Sequence, residues 1–218
     1  MDPRDETSLA QALLAGEAGA FERFVEHFRS KIFHYSWLMC GSPDDAEEVA
    51  QETLFKVFGS FDQLRDPARV RAWVFRIARN VCLMQRRKSV FAPPAVEELP
   101  ADSNLPDAAD APDARALRSE LRAVIDRIVA ELPPIYRAVV LLRDLEELST
   151  DETAQILDLP VDVVKTRLHR GRAAMRQKLD CYVNNHCMEE QPSPNPKPLT
   201  AAERDALLAT WQTRLPVT

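Results

Sequence analysis

Apolar positions recur at three- and four-residue steps along most of the chain, so the predicted elements are helices. Glycine and proline at Gly41-Ser42-Pro43, Gly59 and Pro67 punctuate the first 90 residues. Ser42 or Asp44 can cap a helix running to about Phe58, with Ala46, Val49, Ala50, Thr53, Leu54, Val57 and Phe58 on its apolar face. The opposite face aligns Asp45, Glu48 and Glu52, spaced three and four apart. A second helix follows Pro67 and runs through Lys88, with Val70, Trp73, Val74, Ile77, Ala78 and Val81 as its core face. Trp73 lies on that face and reads as a packing anchor; Arg71, Arg79, Arg86 and Arg87 lie off it. Between the two helices, residues 59–66 form a short polar loop carrying Phe61. Beside a basic helix, such a loop suits an unstacked base, held by stacking and edge hydrogen bonds.

The second half has a different rhythm. Arg115–Leu132 reads as one helix closed by Pro133-Pro134, and Ile135–Leu145 as the next. Ser149-Thr150-Asp151-Glu152 opens a third with a hydroxyl cap and acids in its first turn. After the turn Asp158-Leu159-Pro160 a fourth begins near Val161, and this short helix, tight turn and basic helix form a helix-turn-helix. On a wheel, Val164, Leu168, Gly171, Met175 and Leu179 share the packing face. Lys165, Thr166, His169, Arg170 and Arg176 lie on or near the opposite one, and those side-chain types suit a major groove. Arg167 lies to one side, suited to a phosphate or an intradomain ion pair; Arg172 extends the basic strip.

Charge alters this picture only when it is resolved along the chain. With 28 Lys+Arg against 34 Asp+Glu, the formal charge is −6. Residues 91–114 hold six acids and no base, so this Pro- and Ala-rich stretch accounts for the whole deficit. It lacks periodicity and large apolar residues, and reads as a flexible, extended, acidic linker between two globular pieces. From Arg65 to Lys88 there are eight basic residues and one acid, and from Val161 to Lys178 six and one. Two basic strips in separate domains suggest two contacts with a polyanion. The longest apolar run, Ala138–Leu142, is far too short for a bilayer, and the N-terminus lacks a secretion signal, so a cytoplasmic protein without membrane insertion is expected.

At this point the residues resemble a family. Residues 44–58 (DDAEEVAQETLFKVF) followed by 71–80 (RAWVFRIARN) resemble region two of bacterial sigma factors. Residues 131–143 (ELPPIYRAVVLLR) and 163–172 (VVKTRLHRGR) resemble their region four. With those two regions and a linker, the chain is similar to extracytoplasmic-function (group four) members of the sigma-70 family. The resemblance implies an all-α fold of two small helical domains: region two over residues 1–90, linker 91–114, region four over 115–180, and a C-terminal extension 181–218. It implies core RNA polymerase as partner, through the beta-prime clamp helices and the beta flap, together with promoter DNA and in many members an anti-sigma factor. Asp45, Glu48, Gln51 and Glu52 match the polymerase-facing helix. Phe61, Asp62, Gln63, Leu64 and Arg65, with Arg76, Arg79 and Asn80, match the segment that captures and melts the minus-ten element. Lys165, Thr166, Arg167, His169, Arg170, Arg172 and Arg176 fall in the part that reads the minus-thirty-five element. Val163 stands where the family often has Thr or Ser, and Gly171 where Ala is common, the latter costing up to about 1 kcal/mol of helix propensity.

The tail lies outside the resemblance. Cys181, His186 and Cys187 are close together, but three ligands without a fourth do not make a structural zinc set; ordinary cysteines, no metal and no cofactor are expected. Residues 191–198 (QPSPNPKP) read as an extended spacer, and Thr200 as the cap of a short amphipathic helix with Leu207, Leu208, Trp211 and Leu215. That helix is too small to fold alone and is expected to dock on the sigma domains or a regulator. No Gly-rich phosphate loop or nucleophile–base pairing is present, which argues against an enzyme. A helix-turn-helix regulator that binds operators without polymerase leaves the acidic helix, the Arg71–Asn80 segment and the linker without a purpose; a third reading is an interaction protein whose basic strips only bind an anti-sigma partner.

Overall fold

The computed structural model describes residues 3–88 and 112–183. Among them every regular element is helical: α1 (Pro3–Leu14), α2 (Ala20–Cys40), α3 (Pro43–Gly59), α4 (Val70–Lys88), α5 (Pro112–Ala130), α6 (Pro134–Val140), α7 (Thr150–Leu157) and α8 (Val161–Val183). Two 3-10 turns, Phe61–Gln63 and Pro67–Arg69, link α3 to α4, and a π-helical turn, Leu141–Leu145, extends α6. The helix expected from Arg115 begins at Pro112, where proline suits a first turn, and that expected over 135–145 is split between α6 and the π turn. The C-terminal spacer and amphipathic helix expected from sequence lie outside the described residues.

The first lobe is built on α2. Phe24, Phe28, Ile32 and Tyr35 recur along one face and are each at most 1% exposed, meeting Val49, Ala50 and Val57 of α3 and Val74, Phe75 and Ala78 of α4. Burying each large side chain contributes about 1.5–3 kcal/mol, so this seam dominates the lobe. Phe58 departs from the expected apolar face: it sits at the last turn of α3, 62% exposed, with the Phe21 ring 4.7 Å away.

A buried carboxylate ties α1 to this bundle. Glu6 accepts from Lys31 Nζ (2.7 Å) and Arg71 Nε (2.6 Å) and lies 2.7 Å from His27 Nε2. Burial alone would raise its pKa, but the hydrogen bonds from His27, Arg71 and Lys31 overcome that and bring it down to about 2.

The second lobe packs α8 across α6 and the C-terminal part of α5. Val139, Val140, Leu142, Ile156, Val164 and Met175 form its centre. The two lobes are not separate in space: their buried residues join into one apolar cluster. At the end of α2, Tyr35, Ser36, Trp37, Leu38 and Met39 are buried in succession, so the helix is covered on all sides rather than along a stripe. Arg137 Nη1 donates to the Leu38 carbonyl at 2.8 Å, and His34 Nε2 lies 3.0 Å from Asp126 Oδ1, near enough for an ion pair but not aligned as a hydrogen bond.

Candidate nucleic-acid and polymerase interfaces

The acidic row is positioned by the start of α3. Ser42 caps the helix, its hydroxyl accepting from the Asp45 N–H at 3.4 Å, with Pro43 in the first turn. Asp45 and Glu48 both accept from Gln85 Nε2, at 3.2 and 2.7 Å, so α4 holds them side by side. Gln51 Nε2 donates to Glu47 Oε1 (3.1 Å), which also accepts from Arg29 (2.8 Å); Gln51 together with Arg29 lowers the Glu47 carboxyl against the opposing effect of burial. Glu52 pairs with Lys56 at 3.1 Å. Glu48, Gln51 and Glu52 are exposed, with Phe55, 74% exposed, beside them.

The loop after α3 is ordered by its apolar residues. Phe61 packs edge-on against Phe24 and Trp73, each with centroids 5.6 Å apart, and Leu64 is also buried. The packing role expected of Trp73 is therefore seen directly, with Phe61 as its partner. Asp66 caps the second 3-10 turn through the Ala68 N–H (3.0 Å). This leaves Asp62, Gln63 and Arg65 exposed, as are Arg76 and Asn80 of α4; Arg76 lines a cleft with Gln63 and Arg65, whereas Asn80 lines another with Phe55 and Ser60. Arg79 is turned elsewhere. Its Nη1 donates to Asp158 Oδ2 (3.1 Å) and Asn80 Oδ1 (3.2 Å), and its Nη2 to the Leu157 carbonyl (3.3 Å). A cleft of about 360 Å³ lies between the lobes, lined by Gln63, Leu64, Arg65, Trp73 and Arg76 on one side and by Glu152, Gln155 and Ile156 on the other.

In the second lobe Ser149 forms a reciprocal capping box with Glu152 (2.8 and 3.2 Å). Asp158 closes α7 in the left-handed region (φ 53°), which Asp and Asn tolerate better than other non-glycine residues, and this makes the tight turn into α8. Val164, Gly171, Met175 and Leu179 are buried and Leu168 partly so, as their spacing predicts. Gly171 has a steric reason: a Cβ there would come within 2.8 Å of Val140 Cγ2, so α8 crosses α6 closer than Ala allows. Lys165, Thr166, His169, Arg170 and Arg176 form an exposed row on the far face, and Arg167 is half-buried at its side. Thr166 spends its hydroxyl on the Asp162 carbonyl at 2.8 Å, one turn back along the helix. Arg172 forks onto both Asp144 oxygens, at 2.6 and 3.2 Å, a structural pair that holds α8 against the π turn.

Cys181 corrects an expectation: it is disulfide-bonded rather than an ordinary thiol, so in this form it has no thiolate to offer a metal. His186 and Cys187 lie outside the described residues, and the described residues hold no cluster of three or more His, Cys, Asp or Glu suited to a metal ion. No described helix is long and apolar enough to cross a membrane.

Fold and surface define a two-lobed helix-turn-helix protein with an exposed basic row on one lobe and an acidic row on the other. The family model for Sigma-70 region 2 matches residues 24–90, and that for Sigma-70, region 4 matches residues 122–175. The ECF RNA polymerase sigma factor SigW of Bacillus subtilis is 32% identical over 170 residues, covering 75% of this chain and 91% of the relative. SigE of Mycolicibacterium smegmatis, another ECF sigma factor, is 31% identical, covering 87% and 73%. Among solved structures, the fold matches sigma factor RpoE in complex with the anti-sigma factor NepR from Bartonella quintana (TM-score 0.59, 19% identity, 75% of this chain and 98% of that one). It also matches CnrH in complex with the cytosolic domain of CnrY (TM-score 0.56, 24% identity, 83% and 99%). The chain belongs to the sigma-70 family, with its two conserved regions in the order in which the sequence places them.

Proposed function

We propose that this chain is the promoter-specificity subunit of a bacterial RNA polymerase, a cytoplasmic binding protein rather than an enzyme. The observation that carries the proposal is the pairing of region-two and region-four matches with two oppositely charged surfaces, the acidic row of α3 and the basic row of α8. Residues 1–90 would engage polymerase and the minus-ten element, residues 115–180 the minus-thirty-five element, with 91–114 as linker.

Asp45, Glu48, Gln51 and Glu52 would face the beta-prime clamp helices, with exposed Phe55 and Phe58 supplying apolar contact at the centre of a charged rim. On the strand side, Asp62, Gln63 and Arg65 would contact a flipped base while Phe61 and Leu64 shape the wall behind it, and Arg76, Arg79 and Asn80 would follow the backbone. Lys165, His169, Arg170 and Arg176 would enter the major groove, with Thr166 and Arg167 at the phosphate margin and Arg172 fixing the helix that presents them. An anti-sigma factor would act by covering one of these surfaces.

Run-off transcription with core polymerase tests the proposal. Specific transcripts that require this protein are expected; operator binding without transcripts would instead favour a free-standing regulator. Asp45→Arg combined with Glu48→Arg is expected to abolish co-purification with core polymerase while duplex DNA affinity of the full chain is retained.

A further inference from the structure

The last turn of α8 carries a covalent feature that neither charged surface uses. Cys181 is disulfide-bonded. The chain holds four cysteines, at 40, 82, 181 and 187. Cys40 and Cys82 are thiols of the first lobe, the Cys82 Sγ donating to Ser36 Oγ at 3.9 Å. Cys187, six residues beyond Cys181, is the cysteine left to complete the bond.

Helix geometry gives that pairing a consequence. Residues six apart in an unbroken α-helix stand roughly 10 Å apart at Cα, whereas a disulfide needs about 7 Å or less. The bond and a helix continuing through 187 therefore exclude each other. α8 ends at Val183, two residues past Cys181, and Asn184-Asn185 follow, a residue type suited to a helix stop. Leu179 is buried and Val183 packs against the core, so this last turn is held by the second lobe. Cys181 is half-buried, within reach of small oxidants and reductants. The two sulfurs are also unlike in reactivity. His186 directly precedes Cys187, and its imidazolium favours a thiolate there. Cys181 follows Asp180 at the negative end of the α8 dipole, and both disfavour its thiolate.

We propose that Cys181 and Cys187 form a reversible thiol–disulfide pair, a redox modification site that fixes where α8 ends. The oxidant is a hydroperoxide. The Cys187 thiolate attacks one peroxide oxygen; an S–O bond forms, the O–O bond breaks, and the departing oxygen takes a proton from water. Cys187 is then a sulfenic acid. The Cys181 sulfur attacks it; the S–S bond forms, the S–O bond breaks, and the hydroxyl leaves as water with the Cys181 proton. Two electrons have passed from the thiols to the peroxide. A dithiol reductant reverses the bond by exchange, and the end of α8 is released. In a reducing cytoplasm, where the chain is placed above, a disulfide is usually transient and redox-sensing rather than structural. That significance rests on the location given above; the pairing and its chemistry do not.

The full chain, equilibrated in glutathione buffers from strongly reducing to strongly oxidising, is alkylated, digested with trypsin and weighed. Both cysteines fall in one tryptic peptide that begins at Leu179, so the bond reads as a loss of two hydrogens. The expected result is a complete, reversible passage between the two forms, with Cys40 and Cys82 alkylated throughout. With hydrogen peroxide and dimedone, Cys181→Ser is expected to trap sulfenic acid at Cys187. Cys187→Ser should trap about tenfold less at Cys181, the thiolate difference of one pKa unit. Hydrogen exchange over the last turn of α8 should be about two- to tenfold faster in the reduced chain, with no redox dependence in Cys181→Ser. A bond that survives the most reducing buffer would make the disulfide structural and overturn the switch. Thiols that persist in the most oxidising buffer, a glutathione adduct, or a disulfide-linked dimer would overturn the pairing. Equal exchange in both forms would overturn the link to the helix end. None of these readouts uses polymerase or promoter DNA, so failure of the sigma reading in run-off transcription is scored apart from them.

Discussion

At the scale of the residue, Glu6 and Gly171 show how single positions hold this fold. Glu6 is buried against Lys31 and Arg71 with His27 alongside, joining α1, α2 and α4 through one carboxylate. Removing the charge strands the cations it gathers, and breaking a buried pair from one side costs about 3–5 kcal/mol. Glu6→Gln is therefore expected to lower the midpoint of thermal unfolding strongly, by far more than loss of an exposed pair such as Glu52–Lys56. The carboxyl's pKa is depressed from 4.5 to about 2, so its contribution is full above pH 4.5 and is lost as pH falls toward 2. An acid-unfolding titration should show the wild type losing stability relative to Glu6→Gln across that window. Gly171 works by absence. Ala at 171 recovers up to about 1 kcal/mol of helix propensity, but its Cβ meets Val140, and overpacking typically costs about 1–3 kcal/mol. Gly171→Ala is expected to destabilise, and Gly171→Ala with Val140→Ala to cost less than the sum of the two single changes in a double-mutant cycle by chemical unfolding.

Elements add what residues alone do not. The faces of α3, α4 and α8 were legible because each buries one stripe: Val49 and Val57, Val74 and Ala78, Val164 and Met175 are all buried where the period puts them. Phe58 escaped because a periodic pattern says nothing about where the covering neighbour ends, and Phe75 because it lies beside the stripe and is nonetheless fully buried against Tyr35. The end of α2 was illegible for the opposite reason: burial on every side erases the period. The π turn 141–145 also has no compositional signal, yet it brings Glu146 beneath Arg71. Glu146 is 7% exposed, and burial raises its carboxyl to about 7. It faces Glu6 on α1, Lys31 on α2, Arg71 on α4 and Arg122 on α5, the cations opposing the shift and Glu6 adding to it. The folded chain therefore holds a proton on Glu146 that the unfolded chain releases near pH 4.5. The stability this contributes is complete below pH 4.5 and is lost as pH rises through about 7. Thermal unfolding at about pH 8 and about pH 6 is expected to show this component of instability at the higher pH. Glu146→Gln, which stays neutral, should remove it; an unchanged pH dependence in that variant would show that other groups set it.

For the whole molecule, the mean charge of −6 conceals three parts: two near-neutral lobes with basic strips, and six acids between residues 91 and 114. The charge division is readable from composition, at a Pro- and Ala-rich acidic stretch that lies outside the described residues up to Pro112. The closure of one lobe on the other is not, since its ties, Arg79 to Asp158 and Arg137 to Leu38, link positions separated by 79 and 99 residues with no shared pattern. The basic row of α8 should behave as a phosphate-neutralising surface, each lost contact reducing the salt slope of duplex binding by about one. Replacing Glu97, Glu98, Asp102, Asp107 and Asp110, the five acids that precede α5, with Gln and Asn brings the formal charge to −1, 28 against 29, without altering a residue of either lobe. Tethered acids compete with phosphates for the same cations, at a local concentration fixed by the tether and screened within a Debye length of about 10 Å at 0.1 M salt. This variant is expected to bind random-sequence duplex DNA more tightly than wild type at low salt, with the two curves converging as salt rises. Its radius of gyration should match that of wild type, because the seam is untouched. Equal affinity at low salt would mean that the linker charge does not reach the DNA-binding surfaces.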